Sequence, residues 1–187
     1  MPENLPVGCH ASSAPDMILQ RPELAAHAAN VCANWALIEW EMAWLYALLM
    51  GRSLPKIHKN NIPMHPAAIQ IFDALNSLAP RIDLIERLLR LTAPQQVEQF
   101  ERVLRDKIKK RFNERSVIAH GMWGLCDAYP DALILVKSTD HSKIYRKHDF
   151  VQVSKRILEL RDEMQAFTST VASALYARPP QQTSSPP

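Results

Sequence analysis

The sequence has few glycines and few cysteines, and both shortages limit the kinds of site that it can form. Only four glycines occur among 187 residues, so no glycine-rich loop is available to hold phosphates through main-chain amides. The three cysteines, Cys9, Cys32 and Cys126, are far apart and odd in number, which excludes a CxxC metal site and a complete set of disulfides. We therefore expect the protein to reside in a reducing compartment.

A secretory leader and a membrane-spanning run are also absent from the sequence. The first 20 residues contain three prolines and lack the basic region and the apolar core of a signal peptide. The longest apolar stretch, residues 35–50, is interrupted by Glu39 and Glu41 and is too short to cross a bilayer. These features predict a cytoplasmic protein with no membrane partner. The histidines and cysteines lack the spacing of metal ligands, so we predict no metal and no cofactor.

The remaining composition is that of an ordinary globular domain with a mild excess of positive charge. Apolar residues make up 47% of the chain and charged residues 22%, which is usual for a domain with a sizeable core. The formal net charge of +3 is compatible with a polyanionic partner. Prolines cluster at both ends. We expect an irregular segment over residues 1–21, one helical domain over 22–177 and a disordered tail over 178–187.

Hydrophobic periodicity predicts a mainly α fold, an up-and-down four-helix bundle with a β-hairpin between the third and fourth helices. The Thr92–Gln95 and Asp149–Gln152 segments resemble capping boxes that open the third and fourth helices. Pro80 predicts a kink or break in the second helix near Leu78. The expected elements are helices over Pro22–Gly51, Pro66–Leu91, Thr92–Gly121 and Val153–Ala177, and strands over Met122–Cys126 and Leu133–Lys137.

One acidic residue of the first helix and one basic residue of the third break the patterns of their helices. Most polar residues of the first helix form one solvent stripe, whereas Glu39 falls on the apolar side. The apolar stripe of the third helix continues by helical steps to Arg115. A buried carboxylate needs a partner, so we predict a buried ion pair between Glu39 and Arg115. The predicted stripe comprises Glu23, His27, Asn30, Asn34 and Glu41.

Arg115 and His120 bring a permanent cation and a titratable imidazole together near the end of the third helix. Histidine exchanges protons near neutral pH and arginine binds phosphate, so the pair suits RNA cleavage without a metal. On one α-helix the two side chains would lie about 140° apart. Either Gly121 forms a left-handed cap that redirects His120, or two copies share a groove. Alternatively, His120 only caps the helix and Arg115 only neutralises Glu39.

The Arg-x4-His-Gly segment ends the third predicted helix, after a Trp- and Glu-bearing first helix and before an aromatic residue and a hairpin. This arrangement resembles the HEPN superfamily over roughly residues 23–177. The resemblance implies a usually dimeric helical bundle and a metal-independent ribonuclease of toxin–antitoxin or phage-defence systems. It implies that Arg115 steadies the scissile phosphate and that His120 transfers protons. Ser116 occupies a position where the family commonly has Asn, Asp or His, and with Glu39 and Asn113 it completes the predicted site.

A run of basic side chains precedes this motif and could follow a phosphate backbone. The same run could equally form an ordinary solvated helix face. The expected partners are RNA, a second copy of the chain packed through the tryptophan-rich first helix, and an antitoxin or defence-system protein. The alternative function is a catalytically inactive dimerisation module that binds nucleotides, RNA or protein. The basic residues are Arg102, Arg105, Lys107, Lys109, Lys110 and Arg111.

Overall fold

The computed structural model describes residues 2–51, 66–137 and 142–176. The chain is mainly helical and carries a small antiparallel sheet. The predicted tail, residues 178–187, lies outside the described residues. The helices are α1 (Pro22–Gly51), α2 (Pro66–Asp73), α3 (Leu78–Thr92), α4 (Val97–Gln99), α5 (Asp106–His120) and α6 (Lys147–Tyr176), and the strands are β1 (Glu3–Asn4), β2 (Ser12–Ser13), β3 (Met122–Leu125), β4 (Leu133–Val136) and β5 (Lys143–Tyr145).

The described chain divides into two compact units. The first unit contains Met1–Glu39 and Asp106–Arg161, and the second contains Trp40–Arg105 and Asp162–Pro187. Both α1 and α6 contribute one part to each unit.

Helix α1 begins at Pro22 and ends at Gly51, as the sequence predicts. Proline suits this start because the first residues of a helix need no main-chain N–H bond. The predicted solvent stripe is wrong at its C-terminal end, where Glu41 is 8% exposed and the neighbouring Trp40 is 56% exposed. Glu41 tolerates this burial because its carboxylate accepts a hydrogen bond from the side-chain amide of Gln165, 2.7 Å away.

The sheet of the first unit has the strand order β1-β5-β4-β3-β2, and every neighbouring pair is antiparallel. The predicted hairpin strands, β3 and β4, pair with Gly124 opposite Ile134, but they form the middle of a larger sheet rather than an isolated hairpin. The N-terminal segment was expected to be irregular, yet it provides both edge strands. Ile134 and Ile144 form a small core with Cys126, against which Leu5 packs.

Aromatic side chains fill much of the remaining core of the first unit. Trp35 of α1 is 1% exposed and packs against Phe112 of α5 with ring centroids 5.6 Å apart. Trp123 contacts Tyr145 and Phe150 at centroid distances of 5.2 and 5.8 Å. Close aromatic packing of this kind stabilises a core beyond the area that it buries. The Trp35 contact joins α1 to α5. The Trp123 contacts join β3 to β5 and α6 just after the end of α5.

The second predicted helix is broken into α2 and α3 between Asp73 and Leu78, as Pro80 led us to expect. Pro80 lies in the first turn of α3, where the absence of its N–H costs no helical hydrogen bond. In the core of the second unit, Tyr46 stacks on Phe72 at 5.1 Å and Phe100 packs on Phe167 at 5.9 Å.

The third predicted helix starts differently from its sequence signal. Thr92 ends α3, and its hydroxyl donates to the carbonyl oxygen of Leu88 at 2.7 Å, so it is not an N-cap. A short 3-10 turn, Pro94–Gln96, and α4 then lead into a π-helical stretch, Phe100–Arg105, before α5 begins. Because the Thr92 hydroxyl is already bonded to a carbonyl group of α3, it does not cap the helix that follows.

Helix α6 also begins earlier than its capping box indicates. It starts at Lys147, and Asp149 is its third residue. The Asp149 carboxylate accepts a hydrogen bond from the main-chain N–H of Arg146 at 3.0 Å. Asp149 therefore provides the reciprocal half of a capping box instead of the N-cap itself.

Candidate functional site

The Arg115–His120 motif lies entirely within regular helix at the end of α5. Gly121 follows the helix, but the prediction of a left-handed cap there is wrong. Among the described residues, positive φ angles occur only at Gly8 and Asp16. Glycine is needed at position 121 for space, since an added Cβ would lie 2.3 Å from Leu135 Cδ1 and 2.5 Å from the Val117 carbonyl oxygen.

Because α5 stays helical to His120, the two motif side chains leave it in different directions. Five helical residues separate Arg115 and His120 by about 140° around the axis and by about 7.5 Å along it. One chain therefore does not bring the guanidinium and the imidazole together on one face. Of the two sequence hypotheses, the redirected histidine is wrong, and only the groove shared by two copies could join the pair.

The predicted ion pair between Glu39 and Arg115 is not formed within the part of the chain that the structure describes. Arg115 is half-buried, and its Nε atom is buried without a hydrogen-bond partner. Glu39 is half-buried as well. The buried carboxylate of α1 is Glu41, two residues further along the helix.

His120 is exposed and lies in the last turn of α5. Two apolar neighbours are exposed with it, since Val117 is 39% and Met122 is 54% exposed. The C-terminal end of a helix carries partial negative charge, which favours a cation at this place. Of the supporting residues, Asn113 is exposed and Ser116 is half-buried.

The six basic residues of the predicted RNA-binding run do not form one free stripe. Arg102 pairs with Glu98 at 2.8 Å, and Arg105 pairs with Glu86 at 3.0 Å. These two arginines belong to the second unit, and the other four residues belong to the first. Arg111 pairs with Glu114 and is 13% exposed, while Lys107 and Lys110 are exposed and Lys109 is half-buried. At least three of the six basic residues are thus already paired with carboxylates.

A pocket of about 280 Å³ in the first unit opens beside the motif helix. Asn113 and Val117 of α5 line it, and one turn beyond Val117 the same helical face carries His120. Sequence reasoning missed the other polar residues, because they come from separate elements and share no spacing along the chain. These residues are Glu114, Lys137, Lys143, Tyr145, Asp149, Gln152 and Arg156.

The charges of this pocket are partly balanced by its own residues. Glu114 is 3.4 Å from the Arg156 guanidinium and also accepts a hydrogen bond from Arg111. Burial raises the pKa of the Tyr145 phenol, and the nearby Asp149 and Glu114 carboxylates raise it further. Tyr145 therefore remains a neutral hydroxyl at physiological pH.

In residues 2–51, 66–137 and 142–176, no group of three or more His, Cys, Asp or Glu side chains is placed to hold a metal ion. Within the same ranges, every helix is too short or too polar to cross a membrane. Comparisons with protein-family models, with curated proteins and with solved structures found no match to this chain.

Proposed function

We propose that the chain is a metal-independent endoribonuclease of HEPN-like type, built on an up-and-down helical bundle and active as a homodimer. The observation that carries the proposal is the exposed His120 at the end of α5, with Arg115 in the same helix. The imidazole is accessible to an RNA strand. The Nε of Arg115 is buried and has no hydrogen-bond partner in the protein, and the proposal assigns the outer nitrogens of the guanidinium to the phosphate.

The reaction assigns one role to each side chain. His120 takes the proton from a ribose 2′-hydroxyl, whose oxygen forms a bond to the adjacent phosphorus while the bond to the 5′-oxygen breaks. The leaving 5′-oxygen takes a proton from water and His120 returns its proton to the solvent, so the products are a 2′,3′-cyclic phosphate and a 5′-hydroxyl. Arg115 stabilises the negative charge that develops on the phosphate. Ser116 and Asn113, the supporting residues of the predicted site, belong to the same helix as Arg115 and His120.

The geometry of α5 requires the pair to be completed between two copies. His120 of one copy would have to face Arg115 of the other, since about 140° separates the two residues on one helix. The exposed Val117 and Met122 beside His120 offer apolar surface for such a contact. The sequence prediction used the tryptophan-rich α1 for dimerisation, and in that helix Trp35 is buried while Trp40 is exposed. The proposal uses the end of α5 instead, because a contact there would bring Arg115 and His120 of two copies together.

Mixed variants test the shared site. We expect wild-type protein to cleave single-stranded RNA in excess chelator and His120→Ala and Arg115→Met to be inactive alone. Mixing the two variants should restore about one quarter of wild-type activity, since half of the dimers are mixed and each has one intact site. His148→Ala removes another exposed histidine of the first unit and should remain fully active.

A catalytically inactive binding module is the second candidate, and two observations favour it. Arg115 and His120 do not converge within one chain, and at least three of the six basic residues are paired with carboxylates. Such a module would bind RNA or a protein partner without cutting. If wild-type protein and His120→Ala are equally inert on varied RNAs but bind the same partner, the ribonuclease proposal is wrong and this one stands.

A further inference from the structure

Two tryptophans border a cleft of about 390 Å³ within the second unit. Trp40 and Trp44 lie one turn apart on α1, and Trp40 is 56% exposed while Trp44 is half-buried. Burying the rest of an indole is favourable, so one exposed and one half-buried tryptophan side by side indicate a surface that contacts a ligand or a partner. The sequence prediction had assigned these residues to core or dimer packing. The cleft is completed by Glu41, Gln165, Thr168 and Ser169.

A carboxylate lies at the base of this aromatic pair. Glu41 is 8% exposed and accepts a hydrogen bond from the Gln165 amide at 2.7 Å. Among the described residues, no lysine, arginine or histidine pairs with Glu41. A buried carboxylate without a counter-charge is costly, and an amide hydrogen bond offsets only part of that cost. The cleft thus carries an uncompensated negative charge.

A second buried polar residue, Thr168, also lines this cleft. Thr168 is 5% exposed, and its hydroxyl oxygen is buried without a hydrogen-bond partner. The hydroxyl of the next residue, Ser169, differs, because it donates to the carbonyl oxygen of Gln165 at 2.9 Å. A threonine hydroxyl both donates and accepts hydrogen bonds. It can therefore bind a polar N–H or O–H group carried by a ligand.

We propose that this cleft binds an organic ammonium ion. The faces of indole rings attract cations, tryptophan most strongly among the aromatic side chains. The Glu41 carboxylate supplies the opposite charge, and Thr168 supplies a hydrogen-bonding group for the rest of the ligand. The ammonium group belongs either to a free small molecule or to a lysine side chain of another protein. The inference does not depend on the proposed ribonuclease activity, since none of the cleft residues belongs to that site.

The negative charge of Glu41 argues against the rival explanation, in which the tryptophans simply pack on a second copy of the chain. Packing of apolar surface over the cleft would bury Glu41 further and leave its charge uncompensated. A cation removes that penalty and contacts the indoles as well. The volume of about 390 Å³ also leaves room for a chain attached to the ammonium group.

Titrations with charged and neutral probes of equal shape test the proposal. The probes are choline chloride and its neutral carbon analogue 3,3-dimethylbutan-1-ol, with sodium chloride as the ionic-strength control. Binding is followed by calorimetry and by the NMR shifts of the indole N–H groups. We expect choline to shift the Trp40 and Trp44 signals and to bind at least about tenfold more tightly than the neutral alcohol. Equal binding of the two probes would overturn the proposal.

A second pair of probes separates the two sources of the ammonium group. N-acetyl-lysine amide and its Nε-trimethyl form carry the cation on a side chain, whereas choline carries it on a free molecule. Tighter binding of either lysine amide than of choline indicates a protein-borne ligand, and the reverse order indicates a small molecule. If none of the three cations shifts the indole signals, the cleft does not bind ammonium ions.

Variants then assign the binding to the cleft. Glu41→Gln keeps an oxygen that can accept from Gln165 but removes the charge, and it should weaken choline binding about tenfold. Trp40→Ala should weaken it about fivefold, and its exposed position makes folding insensitive to the change. Glu98→Gln removes an exposed carboxylate of the same unit and should leave binding unchanged. If Trp40→Ala leaves choline binding intact but converts a dimer into a monomer by light scattering, the cleft is an interface between copies.

Discussion

The indole Nε1 of Trp123 donates a hydrogen bond to the main-chain carbonyl oxygen of Ile118, 3.1 Å away. Ile118 lies in the last turn of α5, where carbonyl groups have no partner within the helix. A side chain of β3 thus completes the helix end next to His120. The same indole packs against Tyr145 and Phe150, so the helix end is fixed to the sheet by both a polar and an aromatic contact.

Replacing Trp123 with Phe should therefore loosen the end of α5. Phenylalanine preserves part of the aromatic packing but leaves the Ile118 carbonyl without its donor. We expect the free energy of unfolding to fall by about 1–3 kcal/mol, as measured by urea denaturation. Trp40→Phe is the matched control, since Trp40 is exposed, and should change stability by less than about 0.5 kcal/mol. Equal losses in the two variants would contradict a capping role for Trp123.

A methyl group at position 121 should be poorly tolerated. In Gly121→Ala the new Cβ would overlap Leu135 Cδ1 and the Val117 carbonyl oxygen. The leucine side chain can move, but the main-chain oxygen of α5 cannot move without distorting the helix. We expect a loss of about 2–4 kcal/mol in thermal or urea unfolding. Adding Leu135→Ala should not restore stability, and a full rescue by that second change would show that the helix is not the obstacle.

Glu86 should make folding sensitive to acid. Hydrogen bonding from Arg90 lowers the pKa of this carboxyl group, and the charge of Arg105 lowers it further. A folded-state pKa below the unfolded value means that the stabilisation is present above the unfolded pKa of about 4.3 and is lost as pH falls through the folded pKa. Glu86→Gln should reduce the free energy of unfolding at pH 7 by about 1–2 kcal/mol.

Measurements of unfolding at several pH values check both the size and the sign of this effect. The difference between wild-type protein and Glu86→Gln should shrink as pH falls below about 4.3. Glu98→Gln breaks a more exposed pair with Arg102 and should cost less than about 0.5 kcal/mol at any pH. A Glu86→Gln difference that stays constant down to pH 2 would rule out the ion pairs as its cause.

Arg115 should matter little for folding. Its Nε atom is buried without a hydrogen-bond partner, and methionine fills a similar volume without a polar group to desolvate. We expect Arg115→Met to change the free energy of unfolding by less than about 1 kcal/mol, or to increase it. A buried pair with Glu39 would instead make the same change cost about 3 kcal/mol or more. Urea denaturation of this one variant separates the two arrangements.

Parts of the fold could be predicted because proline, glycine and apolar periodicity act locally. Pro22 and Gly51 fix the ends of α1, and Pro80 fixes the start of a new helix. The strands β1 and β2 could not be found in this way. Each of these strands is only two residues long, which is too short to show a periodicity in the sequence. They become strands because β5 and β3 offer main-chain partners.

The candidate site could be predicted only as far as the helix geometry allowed. The stripe of the third helix correctly placed Arg115 at the edge of the core. The sequence could not show that the predicted ion pair is not formed, because a shift of two residues on α1 makes Glu41 rather than Glu39 the buried carboxylate. The polar residues around Asn113 come from several elements. Their proximity depends on tertiary packing, which leaves no mark on a single stretch of sequence.

The placement of β1 and β2 at opposite edges of the sheet gives the N-terminal segment a protective role. Exposed sheet edges recruit other strands and promote aggregation. Here Glu3–Asn4 covers β5, and Ser12–Ser13 covers β3, where the Ser12 carbonyl oxygen approaches Gly124 too closely for any larger residue. Proteolytic trimming of these few residues would uncover both edges at once, so the resistance of the protein to aggregation would depend on a short segment that packs Leu5, Cys9 and Ala11 against the small core.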